Sequence, residues 1–81
     1  MLMYTVYVLK SDDGRLYKGM TNNLYRRLIE HKSGKTRTTK RMKNIKIVYS
    51  ENFPDFEGAR KRELYFKTAA GRRFLKDKTG L

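Results

Sequence analysis

Residues 15–31 read RLYKGMTNNLYRRLIEH. RLYKGM, 15–20, has the composition of a β-strand. TNN, 21–23, supplies helix-capping residues, and LYRRLIEHK follows with helical spacing. A strand therefore runs straight into a helix. At about 100° per residue, Leu24, Arg27, Leu28 and His31 fall within roughly 100° of arc. Arg26 and Glu30 fall on the opposite side, as a solvent pair at i,i+4. The apolar stripe thus carries an arginine and a histidine. Arg27 is either a snorkelling side chain with a buried stem or a group aimed at a functional surface. His31 is either a core-edge histidine with one hydrogen bond or part of that surface.

Working back, MYTVYVLK, 3–10, is rich in β-branched and aromatic residues and predicts another strand. A three-residue loop Asp12-Asp13-Gly14 puts glycine at the left-handed position that this loop type needs. Ser11 then pairs with Arg15, Leu9 with Tyr17 and Tyr7 with Gly19. Residues directly opposite share a face, so Tyr7 and Tyr17 project together as diagonal neighbours. Gly19, opposite Tyr7, leaves open space above the ring. A four-residue loop would shift the pairing by one and separate the two tyrosines. Two tyrosines on one face are otherwise ordinary core rings with hydroxyls reaching water.

Working forward, GKTRTTKRMK, 34–43, is a basic segment with room for a short helical turn. NIKIVYSE, 44–51, alternates apolar and polar residues and predicts a third strand. Asp55, after the only proline, Pro54, caps a helix from about Phe56 to Lys67, and a short helix covers 70–77. The order β-β-α-β-α-α describes an α+β domain with a small, mainly antiparallel sheet. On the helix from Phe56, the residues Phe56, Ala59, Phe66 and Ala70 make an apolar stripe with Glu63 in its middle. Glutamate is almost never buried unless it is paired or bound to a metal. Glu63 is then either an ion pair with Arg60 or Lys67 or a ligand.

With 81 residues the chain is read as one domain, 1–81. A chain of this size buries roughly 60–65% of its unfolded surface. The absence of cysteine excludes disulfides and thiolate metal sites, in keeping with a reducing cytoplasm. No apolar run has the length of a membrane span or a signal peptide. Twenty Lys and Arg against eight Asp and Glu give a net charge of +12. Such a surplus favours a polyanion, most often nucleic acid, over mere solubility. No segment forms a basic helix with a wide apolar face, so a membrane surface fits less well. Lys35, Arg37, Lys40, Arg41 and Lys43 put five positive charges in 34–43 with no acid. That run is either a nucleic-acid contact or a solvated surface.

Two tyrosines, an arginine, a histidine and a glutamate able to face one cleft of a basic domain suit phosphodiester chemistry. A metal on the carboxylate would polarise the phosphate. Arginine neutralises charge that develops on phosphoryl oxygens. A tyrosine near cations can lose its proton below the usual pKa of about 10 and help activate water.

TVY at 5–7, YKG at 17–19, TNNLYRRLIEH at 21–31, IVYSE at 47–51 and ARKRELYFK at 59–67 resemble the GIY-YIG nuclease superfamily. The resemblance covers most of the chain and is nearest to small stand-alone members. It implies a three-stranded antiparallel sheet flanked by helices. It assigns active-site roles to Tyr7, Tyr17, Arg27 and Glu63, with His31 at a position often held by an assisting histidine. It implies one divalent cation, Mg²⁺ or a substitute such as Mn²⁺, held mainly by Glu63. Thr5 stands where the family has its first motif glycine, and Lys18 where it has the isoleucine of the second. No asparagine follows Asn52 to fill the C-terminal role seen in some members.

The leading expectation is a metal-dependent endonuclease acting on DNA. Alternatives are a nucleic-acid-binding module without useful catalysis, and an interaction domain of a DNA repair assembly. Lys18 and Lys67 join Lys35, Arg37, Lys40, Arg41 and Lys43 as candidate nucleic-acid contacts, with Gly19 as a structural glycine. Substrate preference must come from this domain or from a protein partner. Tyr7, left uncovered by Gly19, is the expected base, and Tyr17 the group that positions phosphate or a metal-bound water.

Overall fold

The computed structural model describes residues 3–36 and 39–80. The elements are β1 (Tyr4–Lys10), β2 (Leu16–Thr21), α1 (Leu24–Lys32), β3 (Lys46–Phe53), α2 (Phe56–Phe66) and α3 (Ala69–Thr79). They form one three-stranded antiparallel sheet in the order β2-β1-β3. The fold is α+β, as the sequence predicts. Among the described residues no helix is long and apolar enough to cross a membrane.

The hairpin has the register that a three-residue loop demands. Tyr7 pairs with Gly19 and Leu9 with Tyr17. Gly14 adopts φ +86°, a conformation that a Cβ would strain. The Ser11 N–H donates to the Arg15 carbonyl at 3.0 Å and closes the loop.

β1 is the central strand, and its run Val6, Tyr7, Val8, Leu9 is buried throughout. Alternation sends Val6 and Val8 to one face and Tyr7 and Leu9 to the other. Val6 and Val8 pack with Ala59 and Phe66 of α2 and Leu75 of α3. Full burial of each such aliphatic or aromatic side chain contributes about 1.5–3 kcal/mol. Tyr7 and Leu9 pack with Met42 and Ile45, and against Tyr17, Leu24 and Leu28. The sheet is therefore a partition between two small cores.

The helix starts follow from side-chain caps. Asn23 Oδ1 accepts from the Arg26 N–H at 3.0 Å, Asp55 Oδ1 from Gly58 at 2.7 Å, and Thr68 Oγ1 from Gly71 at 3.1 Å. The third strand begins two residues later than its alternation suggests. Asn44 sits at φ +54°, which no extended strand accommodates. A bulge then shifts the pairing from Leu9↔Ile47 to Val8↔Tyr49. It brings both Val48 and Tyr49 against the α2–α3 core. There Tyr49 donates to Glu51 at 2.5 Å, and Glu51 accepts two bonds from Arg62, at 2.8 and 3.0 Å. The Arg62 guanidinium lies 4.6–4.9 Å from the ring centres of Tyr65, Phe66 and Phe74.

The α2 stripe differs at both ends from the predicted one. Ala59, Glu63 and Phe66 are buried, but Phe56 is 57% exposed, its ring set edge-on to that of Tyr4 with centres 5.8 Å apart. Ala70 lies beyond the end of α2, exposed in the first turn of α3. The chain turns at Lys67–Thr68, so the helical period cannot run on to Ala70.

Candidate active site

α1 lies over the Tyr7 face of the sheet and presents His31 to it. The Tyr7 hydroxyl and His31 Nε2 are 2.9 Å apart, and His31 Nδ1 is 2.7 Å from Thr39 Oγ1. Tyr7, His31 and Thr39 are each 1% exposed. Burial, and then the Arg27 charge, hold the imidazole pKa below its ordinary value, so His31 is neutral at pH 7. A neutral imidazole has one donor and one acceptor nitrogen. Burial pushes the Tyr7 phenol up to about 12, with Arg27 drawing it partly back, so Tyr7 keeps its proton. The consistent chain is Tyr7 O–H donating to Nε2, and Nδ1–H donating to Thr39.

Tyr17 completes the cluster. Its ring centre is 4.8 Å from that of His31 and 6.2 Å from that of Tyr7. Arg27 stands at the rim, its side chain 36% exposed, with Nη1 bonded to Glu30 at 3.0 Å. That bond, then the neighbouring Tyr7, hold the guanidinium above its ordinary pKa. One bond leaves most of its five N–H donors available.

Gly19 is what lets the rings meet. A Cβ there would lie 2.7 Å from the Tyr7 hydroxyl and 2.9 Å from Cε1 of Tyr17. The missing side chain is replaced by the two tyrosines, so Tyr7 is buried and not left open as expected. Its pKa also moves up, against the expectation of an easily lost proton, because desolvation outweighs the cation. Tyr17 and Arg27 are the members that solvent reaches.

Glu63 comes from the other layer. It shares its α2 stripe with Ala59 and Phe66, on the Val6/Val8 face, so the five residues do not project from one face of the sheet. α2 also touches β2, the edge strand that carries Gly19, and the Glu63 charge makes a small contribution to raising the Tyr7 pKa. The carboxylate accepts from Arg60 at 2.9 Å and from Lys67 at 3.3 Å, the ion pairs that helical spacing allows. Lys18 is half-buried on this same side, opposite Val8.

Two partners escaped the sequence reading. Glu30 pairs with Arg27 and not with Arg26, because i,i+3 on the inner edge brings the carboxylate to the guanidinium. Thr39 lies in the basic segment but turns inward, as does Met42. Only the need of a buried imidazole for a second partner hinted at Thr39. Lys35, Lys40, Arg41 and Lys43 are exposed. Arg37 lies outside the described residues.

A family model for the GIY-YIG catalytic domain matches residues 3–76 of this chain. The chain belongs to the GIY-YIG family. It is 43% identical over 63 residues to a UPF0213 protein of Bacillus pumilus, covering 76% of this chain and 64% of that protein. It therefore spans slightly under two thirds of that relative. It is 35% identical over 72 residues to the UPF0213 protein SSP2268 of Staphylococcus saprophyticus, covering 88% of each. The solution NMR structure of the UPF0213 protein BH0048 from Bacillus halodurans is similar, with a TM-score of 0.60 and 29% identity, over 94% of this chain and 84% of that one.

Proposed function

We propose that this chain is a metal-dependent endonuclease that hydrolyses phosphodiester bonds of DNA. The observation that carries the reading is the buried Tyr7–His31 hydrogen bond of 2.9 Å beside Arg27 and Tyr17. Core packing alone does not require a neutral histidine bonded to a buried phenol behind an arginine at the rim. Net charge +12 suits a polyanionic substrate. The exposed cations Lys35, Lys40, Arg41 and Lys43 suit its backbone.

Glu63 would hold the cation. A carboxylate offers about four lone-pair sites, and Arg60 and Lys67 occupy two. Among the described residues no group of three His, Cys, Asp or Glu surrounds a metal position. That fits Mg²⁺, which keeps several waters and needs only one or two carboxylates. When bound, Mg²⁺ or Mn²⁺ supplies Lewis-acid polarisation of the phosphate and charge neutralisation at the leaving oxygen.

The residues of the chain divide the remaining work. Arg27 uses its free donors to bind the phosphate and stabilise its developing charge. Tyr17, partly exposed, orients the attacking water. The buried Tyr7–His31 pair packs against the Tyr17 ring and holds it in place at the rim. Thr39 fixes the imidazole tautomer that makes Nε2 the acceptor.

The test is incubation with plasmid and branched DNA, with Mg²⁺ and with chelator. Cleavage only with metal, lost in Glu63→Gln while DNA binding persists, is the expected result. Full activity in Glu63→Gln would refute the assignment. The occupied state of the Glu63 carboxylate favours one alternative, a nucleic-acid-binding module without hydrolysis. DNA binding with no metal-dependent cleavage would establish that alternative.

A further inference from the structure

We propose that Lys18, Lys67 and Arg72 form a phosphate subsite on the α2–α3 side of the β2 edge, binding a second phosphate of the strand whose scissile phosphate lies at Arg27. The inference rests on the nucleic-acid reading above and extends it to the opposite face of the sheet.

Three elements present cations to that side of the sheet, with α2 in contact with both β2 and α3. Lys18 on β2 pairs with Val8, so its side chain projects to the face covered by α2 and α3. Lys67, the C-cap of α2, reaches Glu63 at 3.3 Å. Arg72, in the first turns of α3, donates from Nη2 to the Lys67 carbonyl at 3.2 Å, so it folds back over the end of α2. Among the described residues neither Lys18 nor Arg72 pairs with a carboxylate. Glu63, the one acid at this junction in an ion pair, is shared between Arg60 and Lys67. The cations therefore outnumber the counter-charge.

Their crowding is felt within the protein. Burial first, and then the charges of Arg72 and Lys67, pull the Lys18 ammonium below its ordinary pKa. Like charges gathered on one side of the β2 edge oppose folding unless an anion relieves them. A phosphate does so with several acceptor oxygens, and an arginine beside two lysines can meet it in a fork. Tyr7, Tyr17, Arg27 and His31 lie on the other face, with Gly19 on the edge strand between. A strand of nucleic acid passing around the β2 edge would meet Arg27 on one side and this subsite on the other.

The test is equilibrium binding of a short DNA duplex in chelator, followed against salt concentration. Arg72→Gln and Lys18→Met should each reduce the log–log slope by about 0.9, the change expected when one phosphate of duplex DNA is no longer neutralised. Arg73→Gln, one position along α3 and exposed, should leave the slope as in the parent protein. Melting curves at low salt check the fold. Lys18→Met should melt at or above the parent temperature, because it removes a like charge. Unchanged slopes in both subsite variants, or an equal drop in Arg73→Gln, would overturn the subsite. A lower melting temperature for Lys18→Met would also count against it. Because chelator prevents turnover, these slopes stand apart from cleavage. A parent protein that shows them but never cuts DNA counts against the hydrolase reading alone.

Discussion

Replacing Tyr7 with phenylalanine removes one oxygen from the driest part of the site. The ring keeps its place against Tyr17 and His31, at 6.2 and 5.7 Å between ring centres. What disappears is the partner of His31 Nε2, at 2.9 Å in a cluster where both residues are 1% exposed. Either tautomer then leaves a ring nitrogen buried without a mate. Orphaning a buried polar atom costs about 1–3 kcal/mol. For a domain of 60–100 residues each kcal/mol moves Tm by about 4–8 °C, so a loss of about 2 kcal/mol lowers Tm by roughly 8–16 °C. Thermal unfolding by circular dichroism near neutral pH measures this directly. The double variant Tyr7→Phe/His31→Leu provides the control. With both polar partners gone, it should cost less than the sum of the single changes, by about 1 kcal/mol or more. A loss under about 0.5 kcal/mol in Tyr7→Phe, with strict additivity in the pair, would refute the buried hydrogen bond.

Gly19→Ala should cost about 1–3 kcal/mol by overpacking and should break the Tyr7–His31 contact, since its Cβ would meet the hydroxyl at 2.7 Å; wild-type stability would sink that account. The His31 pKa is depressed by burial and then by Arg27, so the unfolded chain takes up a proton first as pH falls. Stability should be level above about pH 6.5 and decline below it, and His31→Leu should remove that decline. Burial raises the Glu51 pKa, but the bonds from Arg62 and Tyr49 outweigh it and leave it below the usual range. Its contribution should be complete above about pH 4.3 and lost as pH falls through the depressed value. Denaturant titration across pH separates the two limbs, and a profile unchanged in Glu51→Gln would exclude the second. Neutralising Lys40, Arg41 and Lys43 together should lower the salt slope of duplex binding by about 0.9 for each phosphate that these side chains neutralise; an unaltered slope would place 39–43 outside the interface.

Local chemistry made much of this protein legible from its chain. The Asp12-Asp13-Gly14 loop dictates the hairpin register, because only glycine takes the left-handed position cheaply. That register alone puts Tyr7 and Tyr17 on one face. The capping residues at 21–23 and Asp55 start the first two long helices, because a short polar side chain satisfies the free N–H groups of a first turn. The 3.6-residue period correctly set Arg27 and His31 on the inner side of α1.

Periodicity acts within one element, and what it could not reach was contact between elements. It assigned Glu30 to Arg26, but the inner edge of α1 gave it to Arg27. It carried the α2 stripe past the turn at Lys67–Thr68. It left Tyr7 uncovered, since the space above Gly19 is filled by a ring from the same strand and another from its neighbour. Nothing in the basic segment marked Thr39 as the partner of His31, because that bond joins α1 to a loop eight residues on. The side from which Glu63 arrives depends on which face of the sheet α2 covers, and no single helix or strand encodes that. Charge, caps and register are properties of neighbours in sequence. Burial, and with it the raised pKa of Tyr7 and the lowered pKa of His31, exists only when two layers close on the sheet and exclude water.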